Sequence, residues 1–168
     1  MLSSSMGRGC VIPVVVVLVV LMCTVRKQEQ YCYSIQTASY EEYSLVGRLD
    51  GTFYEKSGGD VRAPYTLSIF ISPRHDVPYA ISNLVVYQDL SVPLLQIEKP
   101  PPLKREESSS DGCFQFIEIP NLDFQYKKCF VEFEVLKKGK PVEKVRLVFE
   151  TDFSSRWTTL WWESMLSV

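Results

Sequence analysis

Residues able to do chemistry are few and scattered in this chain. His75 is its one histidine and stands in the run Pro73-Arg74-His75-Asp76-Val77-Pro78. A histidine-dependent hydrolase needs its base beside a nucleophile and oriented by a third group. Asp76 is adjacent, but in an extended backbone neighbouring side chains point to opposite faces, and no G-x-S-x-G elbow accompanies the pair. A small envelope hydrolase using His75 and Asp76 is therefore an alternative only, and a histidine between two prolines reads as a turn residue. The carboxylate pairs Glu41-Glu42 and Glu106-Glu107 lack the opposed placement that glycosidic chemistry uses. No calcium loop, phosphate loop or Cys/His zinc cluster is present, so neither catalysis nor a metal or organic cofactor is expected.

The cysteines and tryptophans offer more. Cys10 and Cys23 flank an apolar run, and Cys32, Cys113 and Cys129 lie beyond it. In an oxidising compartment a Cys113–Cys129 bridge is expected, because both residues fall in strands that could be neighbours in one core. Closing a loop of about 15 residues would stabilise by about 3 kcal/mol in the chain-entropy account. Three reduced thiols are the alternative. Cys23 follows Val20-Leu21-Met22, which resembles a bacterial lipoprotein cleavage site at its first two positions and departs from it at Met22. Cys23 is on that ground a candidate for lipidation. Trp157, Trp161 and Trp162 close the chain after Ser154-Ser155-Arg156. As a helix this segment would align Trp157, Leu160, Trp161 and Met165; as a strand it would align Trp157, Thr159 and Trp161. Either these tryptophans cap the core or they form a partner-docking surface, since tryptophan is enriched among binding hot spots.

The element that locates all of these is the apolar run at residues 11–25, between Arg8 and the pair Arg26-Lys27. Residues 9–25 carry no charge over 17 positions, which is about 25 Å of helix against a hydrocarbon core of about 30 Å. Residues 1–27 are read as a membrane anchor or signal segment in the form of a hydrophobic helix, and residues 28–43 as a juxtamembrane linker. Tyr31 and Tyr33 fall near enough to sit in the interfacial belt. The positive-inside comparison is close to a tie, so an extracytoplasmic location, periplasmic or extracellular, rests on the aromatic, β-rich composition and the cysteines.

Beyond residue 27 lie 141 residues, enough for one domain with a full core. This part holds all 20 acidic residues and 15 of the 18 basic ones, a formal charge of −5, which argues against a nucleic-acid partner. Lys137-Lys138-Gly139-Lys140 is read as a solvated hairpin tip.

Period-two alternation predicts strands. Leu45, Gly47, Leu49, Gly51 and Phe53 share one face, and the two glycines on it imply a bend or a close approach by another part of the chain. Tyr65, Leu67, Ile69 and Ile71 point inward in a second strand, with further apolar runs at residues 84–87, 94–97 and 113–119. The clearest unit is a hairpin around Lys138-Gly139-Lys140 in which Glu134 opposes Lys144, Glu132 opposes Arg146, Phe133 meets Val145 and Val131 meets Leu147. Residues 99–112, rich in proline, charge and serine, are expected to be a long loop. The resulting fold class is mostly β: an antiparallel β-sandwich at residues 44–168, immunoglobulin-like in architecture but without the antibody-type Cys–Trp–Cys pattern, preceded by one N-terminal hydrophobic helix. The expected function is non-enzymatic: a membrane-anchored domain that binds another envelope or surface protein. A carrier of a small apolar ligand is a further alternative.

Overall fold

Alternation of apolar and polar residues runs through nearly every segment, and its outcome is strand after strand. The computed structural model describes residues 25–54, 60–75, 77–89, 92–108, 112–123 and 128–159. Among these the chain forms eleven strands and no helix: β1 (Val25–Tyr33), β2 (Gln36–Ser39), β3 (Tyr43–Tyr54), β4 (Asp60–Pro73), β5 (Tyr79–Asp89), β6 (Val92–Ile97), β7 (Lys104–Ser108), β8 (Gly112–Leu122), β9 (Cys129–Lys137), β10 (Lys140–Phe149) and β11 (Thr151–Thr159). One sheet has the order β11-β1-β4-β3-β2, with β8 also paired to β4 and β7 to β8; the other has the order β10-β9-β5-β6. The chain divides into a larger unit, residues 31–53 and 61–153, and a smaller one, residues 1–30, 54–60 and 154–168.

The buried cluster lies in the larger unit and draws on both sheets. Tyr43, Leu45 and Leu49 of β3, Tyr65, Leu67, Ile69 and Ile71 of β4, and Ile117, Ile119 and Leu122 of β8 come from one. Leu84 and Val86 of β5, Cys129, Val131, Phe133 and Val135 of β9, and Val145, Leu147 and Phe149 of β10 come from the other. The expected close approach at the glycines is present. A Cβ on Gly47 would fall 2.5 Å from Leu147 Cδ1, and one on Gly51 would fall 2.9 Å from Val61 Cγ1 and 3.2 Å from the Arg62 carbonyl oxygen. Phe53, expected inward on the same face, is exposed instead.

The β9–β10 hairpin has the register read from its charges: Lys144 opposes Glu134, Val145 opposes Phe133, Arg146 opposes Glu132 and Leu147 opposes Val131. Lys138 (φ 51°) and Gly139 (φ 78°) make the two-residue turn, both left-handed as a type I′ hairpin requires. Side-chain partners differ from the backbone pairing. Glu134 accepts hydrogen bonds from Ser82 Oγ at 3.3 Å and Asn83 Nδ2 at 2.9 Å, both on β5. Glu132 instead serves both cations, Lys144 at 3.4 Å and Arg146 at 3.5 Å. A central strand has two neighbours, and β5 claims one of the carboxylates that the hairpin alone would have used.

Expectations for two segments are corrected. The linker at residues 28–43 is mostly strand: β1 pairs with β11 and β4, β2 pairs with β3, and Tyr33 and Tyr43 are core residues. Tyr33 therefore does not sit at a membrane interface; its ring meets Tyr65 edge-on at 5.1 Å. The loop at residues 99–112 contains β7, whose Lys104 and Glu106 oppose Phe116 and Phe114 of β8. Strand pairing uses backbone groups, so a charged sequence serves well at a sheet edge, where Lys and Glu also discourage further pairing. The Lys104 ammonium lies 5.7 Å from the centre of the Phe116 ring, which gives the charged strand an apolar footing. The N-terminal hydrophobic helix expected within residues 1–27 falls almost wholly outside the described residues. Among the described residues no helix is long and apolar enough to cross a membrane.

Candidate binding cleft

The site begins with a tight turn. β2 and β3 are joined through Tyr40, Glu41 and Glu42, and the Tyr40 N–H donates to the Tyr43 carbonyl at 2.9 Å. The turn stacks the Tyr40 ring on that of Tyr43, with centroids 4.7 Å apart and 28° between planes. Tyr43 in turn tilts against Tyr79, at 5.1 Å and 52°. The other wall comes from β10. Its register shifts between Pro141 and Glu143, leaving Val142 as the extra residue of a bulge. Proline cannot donate to the ladder, and bulges re-aim the side chains around them. Val142 and Glu143 thereby face the same open cleft as Tyr40, Glu41, Glu42 and Tyr43, a cavity of about 240 Å³.

The electrostatics are one-sided. Glu42 holds the Lys137 ammonium at 2.5 Å, and that hydrogen bond is the main cause that raises the Lys137 pKa. Glu41 and Glu143 are exposed carboxylates. Tyr43 is only 2% exposed, and its hydroxyl is buried without a hydrogen-bond partner. Burial first, then the charges of Tyr40, Glu143, Tyr79 and Glu42, push its pKa upward. Tyr40 is raised by burial and by Glu143. Both phenols therefore stay neutral in the working range, with their rings among carboxylates. Among the described residues no three His, Cys, Asp or Glu side chains converge tightly enough to hold a metal ion. The lining nevertheless offers an aromatic ring and two exposed carboxylates, Glu41 and Glu143, the groups that bind an organic cation such as a guanidinium or ammonium. Hydrogen bonds to charged groups contribute about 1.5–3 kcal/mol, and cation–π contact about 0.5–1 kcal/mol at an exposed ring.

The residues singled out from sequence fall elsewhere, except Glu41 and Glu42. Trp157 is on β11 and is 72% exposed, so it does not cap the core; Trp161 and Trp162 lie outside the described residues. Cys23 lies outside them as well. His75 is exposed after β4, and Asp76 is outside the described residues. Cys32, Cys113 and Cys129 are free thiols, so the expected Cys113–Cys129 bridge is not formed. Its failure is geometric. Gln115, two residues from Cys113, accepts from the Tyr79 N–H at 2.8 Å, and Tyr79 pairs with Lys137 at one end of β9. Cys129 is the first residue of β9, eight positions away or about 26 Å of strand. Disulfides need Cα atoms within about 4.4–6.8 Å. Burial pushes the Cys129 thiol up to about 12, which makes it inert.

Sequence reasoning did not find Val142, Glu143 or Lys137 as site residues. Glu41-Glu42 was visible as a carboxylate pair, but only the packing of strands about a hundred residues apart brings it beside Val142 and Glu143.

No protein-family model matches the chain, and no curated protein matches it. Among solved structures, a DUF4426 family protein from Pseudomonas aeruginosa PAO1 is similar at 16% identity, with 74% of this chain and 94% of that one covered and a TM-score of 0.32. At that level the likeness says nothing of function.

Proposed function

We propose that the protein is a membrane-anchored, extracytoplasmic β-sandwich of immunoglobulin-like architecture, tethered by residues 11–25, that acts by binding another envelope or surface protein and not as an enzyme. Two sheets sharing one buried cluster support the sandwich. The charge-free stretch at residues 9–25 supports the tether. The observation that carries the binding role is the cleft. It sets three carboxylates and a stacked tyrosine pair along one open cleft, an arrangement that a basic side chain of another protein would complete. The open edge strand β6, with Val92 and Leu94 exposed, gives such a partner additional apolar surface.

The test is a photo-crosslinking residue at Val142, on the cleft rim, in intact cells, with the same residue at exposed Asn121 as the control. A dominant adduct from position 142 that is absent from position 121 and weakened by Glu143→Gln is expected. Identical adduct patterns from both positions, or none from 142, would contradict the reading.

A further inference from the structure

All three tryptophans fall within residues 157–162, and Trp157 is the one among the described residues. β11 lies beside β1 in the sheet. Three contacts give their register. Ser34 N–H donates to the Glu150 carbonyl at 3.2 Å, the Tyr31 and Phe153 rings lie 4.7 Å apart, and Arg156 Nε donates to Gln28 Oε1 at 2.7 Å. Each step of three back along β1 is matched by a step of three forward along β11, as in an antiparallel pair. The same register sets Trp157 opposite Lys27 and Thr159 opposite Val25.

Val25 is both the first residue of β1 and the last of the charge-free stretch. Lys27 is about 7 Å further along the strand, and the neighbouring strand is about 4.8 Å to the side. The Trp157 Cα is thus about 8 Å from that of Val25. The polar layer flanking the hydrocarbon core is roughly 5–8 Å deep on each side. Trp157 leaves 72% of its surface uncovered, and the side chain of Lys27, opposite it, is 46% exposed. Tyr31 and Tyr33, adjacent to the apolar run in sequence, lead away from Val25 along the same strand. A tryptophan 130 positions downstream from Lys27 returns to the place they leave.

We propose that this end of β1 and β11 rests in the headgroup layer of the bilayer that the N-terminal run enters, with Trp157 as the interfacial anchor and lipid as the occupant of its exposed face. Indole suits that layer because its ring is apolar while its N–H needs an acceptor, which phosphate and ester oxygens provide. Lys27 beside it, its ammonium paired with Glu29 Oε1 at 2.6 Å, lies at the same depth. The inference rests on the membrane tether proposed above.

The chain's tryptophans are Trp157, Trp161 and Trp162, so with the last two replaced intrinsic emission reads Trp157 alone. The full chain is reconstituted in phosphatidylcholine–phosphatidylglycerol vesicles whose acyl chains carry bromine either near the headgroup or near the terminal methyl. Wild type is compared with Trp161→Phe/Trp162→Phe, which leaves Trp157 as the sole emitter. Flotation with the vesicles is expected from both proteins, and blue-shifted emission with stronger quenching by shallow than by deep bromines from the variant. A chain that floats while its emission is quenched by aqueous acrylamide and by neither bromolipid overturns the inference, keeps the tether and leaves the tryptophans to a protein partner. Stronger deep than shallow quenching overturns the interfacial placement. Failure to float overturns the tether and the inference together.

Discussion

Gly47 is where the shared core is most sensitive to a single methyl group. A Cβ there would sit 2.5 Å from Leu147 Cδ1 and 3.1 Å from Phe149 Cζ. Carbon atoms in ordinary contact are about 3.5–4.0 Å apart, so Gly47→Ala drives an overlap of roughly 1 Å into Leu147. Leu147 is 4% exposed and Phe149 fully buried, so neither can retreat into solvent. Overpacking of this kind costs about 1–3 kcal/mol, and replacing a strand glycine recovers about 0.5–1 kcal/mol of backbone entropy. The net expectation is a loss of about 0–2.5 kcal/mol. Leu147→Ala by itself removes buried surface and opens a cavity, at about 2–5 kcal/mol. In the Gly47→Ala background the clash is relieved and part of the cavity is filled, so the double variant should be more stable than the sum of the two losses by about 0.5–3 kcal/mol. The assay is urea unfolding of the full chain in detergent, monitored by far-ultraviolet circular dichroism. A Gly47→Ala protein more stable than wild type, or effects that add within about 0.5 kcal/mol, would refute the packing of β3 on β10.

Cys129 should resist maleimide at pH 8 in the folded chain, while exposed Cys32 reacts. Its folded pKa of about 12 lies above the unfolded value of 9.0, so its contribution to stability is complete below pH 9. That contribution is lost as pH rises toward 12, by about 1.4 kcal/mol per unit, and alkaline denaturation midpoints would read it. Gln115→Leu should cost about 1–3 kcal/mol in urea unfolding, because it strips the buried Tyr79 N–H of its acceptor and the Val77 carbonyl of the Gln115 Nε2 donor. Glu132→Lys should destabilise the hairpin by about 0.2–1 kcal/mol through Lys144 and Arg146, and adding Arg146→Glu should restore part of the loss; equal stability of the three proteins would contradict the ion pairs.

Local signals made some of the fold legible and hid the rest. Period two placed Tyr65, Leu67, Ile69 and Ile71 inward, and all four are fully buried. Charge complementarity set the β9–β10 register because a slip would have turned Phe133 and Leu147 to water. β7 was missed because its stability comes from backbone pairing with β8, which leaves no apolar trace in Lys104-Arg105-Glu106-Glu107. β1 was missed because Lys27, Gln28, Glu29 and Gln30 resemble a linker, although Gln28 is buried where Arg156 reaches it. The cleft was out of reach for a different reason. Tyr40 and Glu143 meet only once β2, β3 and β10 are in place, and the bulge at Val142 that aims its neighbour depends on the partner strand.

The central claim is that the cleft between the Tyr40 turn and the β10 bulge holds a basic side chain of a protein partner. The direct measurement is affinity capture from detergent-solubilised membranes, with wild type and Glu41→Gln/Glu143→Gln compared at matched amounts and rising salt. One protein captured near stoichiometry by wild type, released by salt and lost from the folded variant, is the predicted result. The same protein captured equally by both, or none captured by a folded wild type at any salt, would contradict it.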